Sequence, residues 1–110
     1  MSASLTFLKV FFMFCYKIHT CGNDVLVAAC DKDILGKTFF EGELQLEVKE
    51  TFYKRCEAPL TELEKVLSGA TIANLAGNLV VDCAIYTGFV DKDNVLVIGR
   101  IKHAQFAVLL

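Results

Sequence analysis

From Phe14 to His19 the chain alternates. Phe14, Tyr16 and Ile18 fall on one side and Cys15, Lys17 and His19 on the other, the two-residue period of a strand. Gly22-Asn23-Asp24 is turn chemistry. The run Val25-Leu26-Val27-Ala28-Ala29-Cys30 after it is apolar on both sides, as an interior strand is. Two strands with a short turn between them predict a hairpin. Asp31 to Gly36 reads as a turn or a single helical turn closed by glycine, Lys37 to Phe40 as a short extended piece, and Glu41-Gly42 as another turn. In the next stretch Leu44, Leu46 and Val48 alternate with Glu43, Gln45, Glu47 and Lys49, which predicts a strand with one wet face.

The period then changes. Pro59 opens a helical pattern with Leu60, Leu63 and Leu67 on one face, Thr61 and Glu64 at capping-box spacing, and Gly69 as a stop. Thr71 suits the cap of a short helix through Ile72, Leu75 and Ala76, and Asn78 the cap of another from Leu79 to Thr87. Gly88 fits the left-handed position that closes a helix, with Phe89 folding back onto it in a Schellman arrangement. Asp91 to Asn94 is a turn, and Val95 to Ile98 reads as an interior strand. Strands, then helices, then a returning strand predict an α+β fold: a small, mostly antiparallel sheet with two or three helices packed on one face.

Composition narrows the class. A chain of 110 residues that is 55% apolar and 22% charged has the size and content of one folded domain. The net charge of −2 lacks the bulk basicity of many nucleic-acid binders, which leaves only a local basic patch for that role. The cysteines, Cys15, Cys21, Cys30, Cys56 and Cys83, are odd in number and form no C-x-x-C pair. They read as free thiols of a reducing cytoplasm. The apolar run Leu5–Tyr16 is interrupted by Lys9, lacks a basic lead and a small-residue cleavage site, and falls short of a membrane span, so no membrane association is expected. Residues 1–12 read as an N-terminal extension or lead-in strand and 13–110 as a single α+β domain. The clustered Phe7, Phe11, Phe12 and Phe14 offer a homo-oligomer contact.

Several motifs fail on chemistry. Gly36-Lys37-Thr38 ends like a phosphate-binding loop, but Asp31 stands where that loop needs glycine, and strand-like Phe39-Phe40 follows in place of a helix. Asp31-x-Asp33 begins like a calcium loop, yet Leu35 and Gly42 occupy ligand positions. His19 and His103 lack metal-ligand spacing, and no metal or cofactor is expected. Cys30 with His103 is the best pair for thiol catalysis, but a cysteine ending a buried strand is a poor nucleophile. The stretch Pro59–Thr87 suggests a helix-turn-helix, but its last helix carries Asp82 and no Lys or Arg.

The remaining candidate is the polar tip after Val95–Ile98. Beyond Gly99 come Arg100, Lys102, His103 and Gln105, with Lys37 as support. Cations can meet phosphates while Gln and His read or stack on bases, so the expected function is a non-catalytic binding module for RNA or an RNA–protein assembly. The alternatives are a small enzyme using Cys30 or His103 and a protein-interaction subunit.

Taken together, Val25-Leu26-Val27-Ala28-Ala29-Cys30-Asp31 continuing to Leu35-Gly36-Lys37-Thr38-Phe39, then Leu44–Val48, Thr71-Ile72-Ala73-Asn74-Leu75-Ala76-Gly77, and the ending from Gly99 to His103-Ala104-Gln105 resemble the archaeal "domain of unknown function 424" family over roughly residues 14–106. The resemblance implies a cytosolic archaeal protein with a compact α+β fold and no assigned reaction. It favours Met13 as the natural start. Lys102 departs from the family pattern, which often carries proline there, so the rigidity that proline would lend is missing.

Overall fold

The computed structural model describes residues 12–108; most of the segment read as an extension, residues 1–11, lies outside them. The chain builds a six-stranded sheet in the order β5-β1-β2-β6-β8-β7. The predicted hairpin is β1 (Met13–Cys21) and β2 (Asp24–Asp31), antiparallel, with Cys15 opposite Cys30 and Phe14 opposite Asp31. Strand β3 (Thr38–Glu41) and β4 (Leu44–Glu47) form a separate two-stranded sheet. A single turn, α1 (Glu50–Tyr53), leads to edge strand β5 (Cys56–Pro59) beside β1. A 3-10 turn at Leu60–Glu62 continues into α2 (Leu63–Ser68).

Two expectations are corrected here. Thr71–Ala76 is not a capped helix: β6 (Ile72–Ala76) runs parallel to β2 in the middle of the sheet. Its residues are apolar toward both layers, Ala73 and Leu75 on one side and Ala76 on the other, and so short an apolar run does not separate strand from helix by period. Helix α3 (Asn78–Tyr86) follows. Strand β7 (Leu96–Ile98) is then an edge strand and not an interior one, with Leu96 54% exposed. It turns through Gly99 (φ 56°) and Arg100 (φ 72°) into β8 (Ile101–Ala107), which returns antiparallel between β7 and β6. Two consecutive positive φ values are the mark of a type I′ hairpin.

The sheet separates two apolar layers. Phe14, Val27, Ala29, Ala73, Leu75 and Ala104 face α2 and α3 and meet Leu60, Leu63, Leu67, Val80, Val81 and Ala84. Cys15, Ala28, Cys30 and Ala76 face the other way, under Tyr53 of α1 and under Leu46, Val48 and Ile34. Two helices, α2 and α3, thus pack on one face as the sequence predicts, while the single turn α1 and the β3–β4 hairpin cover the second face at one end. The end of α3 closes as the sequence predicts. Gly88 (φ 87°) donates its N–H to Ile85 O at 3.1 Å and Phe89 donates to Ala84 O at 2.9 Å, the two bonds of a Schellman cap. Phe89 then stacks on Phe106 of β8.

The start of α3 is built differently from the sequence reading. Asn78 does not cap it. The carboxylate of Asp31, 6% exposed at the end of β2, accepts from Leu79 N at 3.0 Å (Oδ2) and from Val80 N at 2.8 Å (Oδ1). Gly77 (φ 116°) makes room for it, since a Cβ there would lie 2.3 Å from Asp31 Cγ. Burial pushes the Asp31 carboxyl up to about 6 against the pull of the two amides. Asn78 ties the β7–β8 hairpin to the helix: its Nδ2 donates to Arg100 O at 3.2 Å and its Oδ1 accepts from Lys102 N at 2.9 Å.

Candidate functional site

The sequence reading treats Arg100, Lys102, His103 and Gln105 as one loop tip. Only Arg100 is in the turn. Lys102, His103 and Gln105 are strand residues of β8, and alternation sends them to different faces. Lys102 points to the helical layer, where Nζ meets Asp82 Oδ1 of α3 at 2.6 Å. His103 and Gln105 point to the second face. Lys37 stands at the entry to β3, its backbone bonded to Ile34 O at 3.0 Å and to Val48 N at 2.9 Å, in the separate sheet. The five residues do not share one cleft.

His103 and Gln105 gather other polar groups. Register places Asn74 of β6 directly opposite Gln105, and Ala76 opposite His103. The Tyr53 hydroxyl, brought over the sheet by α1, donates to Asn74 Oδ1. His103 Nε2 lies 3.2 Å from the same oxygen. An amide oxygen only accepts, so Nε2 carries the proton and Nδ1 is left as an acceptor. Burial holds the His103 pKa below its ordinary value, so the ring is neutral near pH 7. Burial also raises the Tyr53 hydroxyl, which stays a donor. On the outer side a groove of about 260 Å³ is lined by Asn94, Leu96, His103, Ala104 and Gln105. Its polar side chains are two carboxamides and an uncharged imidazole.

Along the same face, toward β1, His19 stacks on Phe52 with ring centroids 5.0 Å apart and bonds Phe52 O at 2.9 Å. Lys17 Nζ donates to Thr51 O at 2.9 Å. Sequence reasoning singled out His103 and Gln105 but missed Asn74, Tyr53 and Asn94. Asn74 lay within the segment read as helix, and nothing in the spacing joined Tyr53 to it.

The other places of interest are chemically occupied. Cys30 is 0% exposed and separated from His103 by Ala76 of β6. Burial raises its thiol well above the ordinary range, which disfavours the thiolate that catalysis needs. A larger cavity of about 410 Å³ is walled by Phe12, Met13, Leu79, Lys32, Asp33 and Asp31. Its buried carboxylate spends both oxygens on α3. Among the described residues, no group of three or more His, Cys, Asp or Glu side chains is arranged to hold a metal ion, and no helix is long and apolar enough to cross a membrane.

A family model described as "Protein of unknown function (DUF424)" matches residues 18–109. The crystal structure of an uncharacterised conserved protein from Methanopyrus kandleri is similar to this fold, with a TM-score of 0.73 and 24% identity over 88% of this chain and 92% of that one. No curated protein matches the chain.

Proposed function

The chain belongs to the DUF424 family, which carries no assigned activity, and from its own site we propose that it is a non-catalytic binding module for single-stranded RNA. The observation that carries this reading is the uncharged polar groove lined by His103, Gln105 and Asn94, on a sheet face that also carries Lys17 and His19. Strands hold polar side chains more firmly than a loop does. Sequence-specific RNA recognition works on splayed bases, through hydrogen bonds to their edges and stacking on rings. The face offers both: carboxamides and an imidazole at β6–β8, and the His19–Phe52 ring pair toward β1. Lys17, on that face, and Arg100, exposed in the adjoining turn, supply positive charge for phosphates. Lys102 is neutralised by Asp82, and Lys37 serves as a peripheral contact at most.

Fluorescence anisotropy with short labelled oligoribonucleotides at low salt tests the proposal. Saturable binding to single strands that weakens in His103→Ala and Gln105→Ala, both folded by circular dichroism, is the expected result. Absence of binding to any single-stranded sequence refutes it.

A further inference from the structure

Resting on that reading, we propose that the groove recognises the edge of one unpaired nucleobase, an uncharged ring bearing a donor beside an acceptor, and that phosphate is not its ligand. The polar side chains lining the groove are Asn94, Gln105 and His103, none of them charged. The charges closest in sequence do not line the groove: Lys92 and Asp93 precede Asn94 in a 3-10 turn, Lys102 is paired with Asp82 on the opposite face, and Arg100 sits in the hairpin turn. A phosphate site needs cations or a row of free backbone N–H groups. This groove has carboxamides, which donate and accept side by side and so match base edges.

Size and shape agree. At about 260 Å³ the groove lies just below the roughly 300–1,000 Å³ of pockets that take drug-sized ligands. That is room for a single ring system. Leu96, opposite His103 in the ladder, gives the ring an apolar surface.

The polarity of the site is fixed from beneath. Asn74 Oδ1 receives both the Tyr53 hydroxyl and His103 Nε2–H. Asn74 is thus a positioning residue: it holds the imidazole in one tautomer, with Nδ1 as a lone-pair acceptor for a donor on the base. Gln105, its neighbour across the ladder, is free to turn its amide to suit the partner atom.

The test uses the full chain and three probes. The first compares an oligoribonucleotide with its abasic counterpart of equal length. A base-reading groove binds the former about fivefold more tightly or better, since one well-matched base contact is worth at least that factor. The second is the salt dependence: for single strands log K falls by about 0.7 per phosphate contact for each tenfold rise in salt, and free nucleosides should show no such slope. The third is ¹⁵N NMR of the His103 ring. It should report Nε2–H in the wild type, a mixture of tautomers in Asn74→Ala, and shifts at His103 and Gln105 on adding nucleoside.

Equal affinity for abasic and base-bearing strands with a steep salt slope overturns the base-edge assignment and leaves RNA binding standing. An Nδ1–H tautomer in the wild type overturns the positioning role of Asn74. If no oligoribonucleotide binds, the RNA reading falls, and the nucleoside titration decides the groove separately: no shift at His103 or Gln105 removes it too. Gln105→Ala, at an exposed position, should lose the nucleoside shifts while keeping the wild-type fold.

Discussion

Replacing Gly77 with alanine should be among the most damaging single substitutions in this chain, and the structure says why. Two costs combine. Gly77 has φ 116°, a conformation that side-chain-bearing residues rarely adopt, and strain of this kind costs about 1–3 kcal/mol. The added Cβ would also meet Asp31 Cγ at 2.3 Å and Oδ1 at 2.5 Å. Either Asp31 or the start of α3 must move, and in both cases the carboxylate leaves the Leu79 and Val80 amides. Losing a cap costs about 1 kcal/mol, and leaving the one buried donor, Val80 N–H, without a partner about 1–3 kcal/mol. The combined loss is about 3–7 kcal/mol, against the 5–15 kcal/mol that holds a typical domain together. Gly22 provides the control. It has φ 60° but nothing within 4 Å of its Cβ position, so Gly22→Ala should cost only about 1 kcal/mol. Urea unfolding followed by circular dichroism measures both. Adding Asp31→Ala to Gly77→Ala should cost much less than the two separate losses summed, because the first substitution removes the obstacle the second creates. A Gly77→Ala protein no less stable than Gly22→Ala, or strict additivity in the cycle, would refute the trans-capping argument.

Two further outcomes are expected. The Asp31 carboxyl, at about 6 in the fold against an ordinary 3.8, binds its proton more tightly when folded; its contribution is therefore full below about pH 4 and is lost as pH rises through about 6, a change of about 3 kcal/mol that Asp31→Asn should flatten in stability measured against pH. Iodoacetamide with mass spectrometry should label Cys21 and Cys56, which are exposed, and leave Cys15, Cys30 and Cys83 unmodified until the protein is unfolded; rapid labelling of Cys30 in the folded protein would contradict its burial.

Local chemistry made parts of this fold legible. The alternation of Phe14–His19, the Gly22-Asn23-Asp24 turn and the apolar Val25–Cys30 run are sufficient for the β1–β2 hairpin, and Gly88-Phe89 for the cap of α3. The misreadings arise where a distant partner decides. Asn78 has the right chemistry and position to cap α3, but Asp31, 48 residues before Leu79, takes that role, and Asn78 turns to the β7–β8 hairpin. Thr71–Ala76 carries a plausible helical stripe, yet β2 and β8 offer it ladder partners on both sides. The site divides in the same way. His103 and Gln105 stand out as polar residues after an apolar run. Asn74 and Tyr53 do not, because their meeting depends on α1 crossing the sheet face, which no short-range pattern encodes.

The parallel contact of β2 with β6 has a consequence for how the chain reaches this state. Hairpins β1–β2 and β7–β8 each close through short turns and can assemble early, within their own stretches of sequence. The β2–β6 seam must wait for some forty intervening residues to be brought into place, and closing a loop of that length is paid in entropy before any contact repays it. With closure of the seam limiting the rate, substitutions along it, at Ala28 or Leu75, and in the early hairpins should slow refolding, whereas those in contacts made after the seam has closed should mainly hasten unfolding.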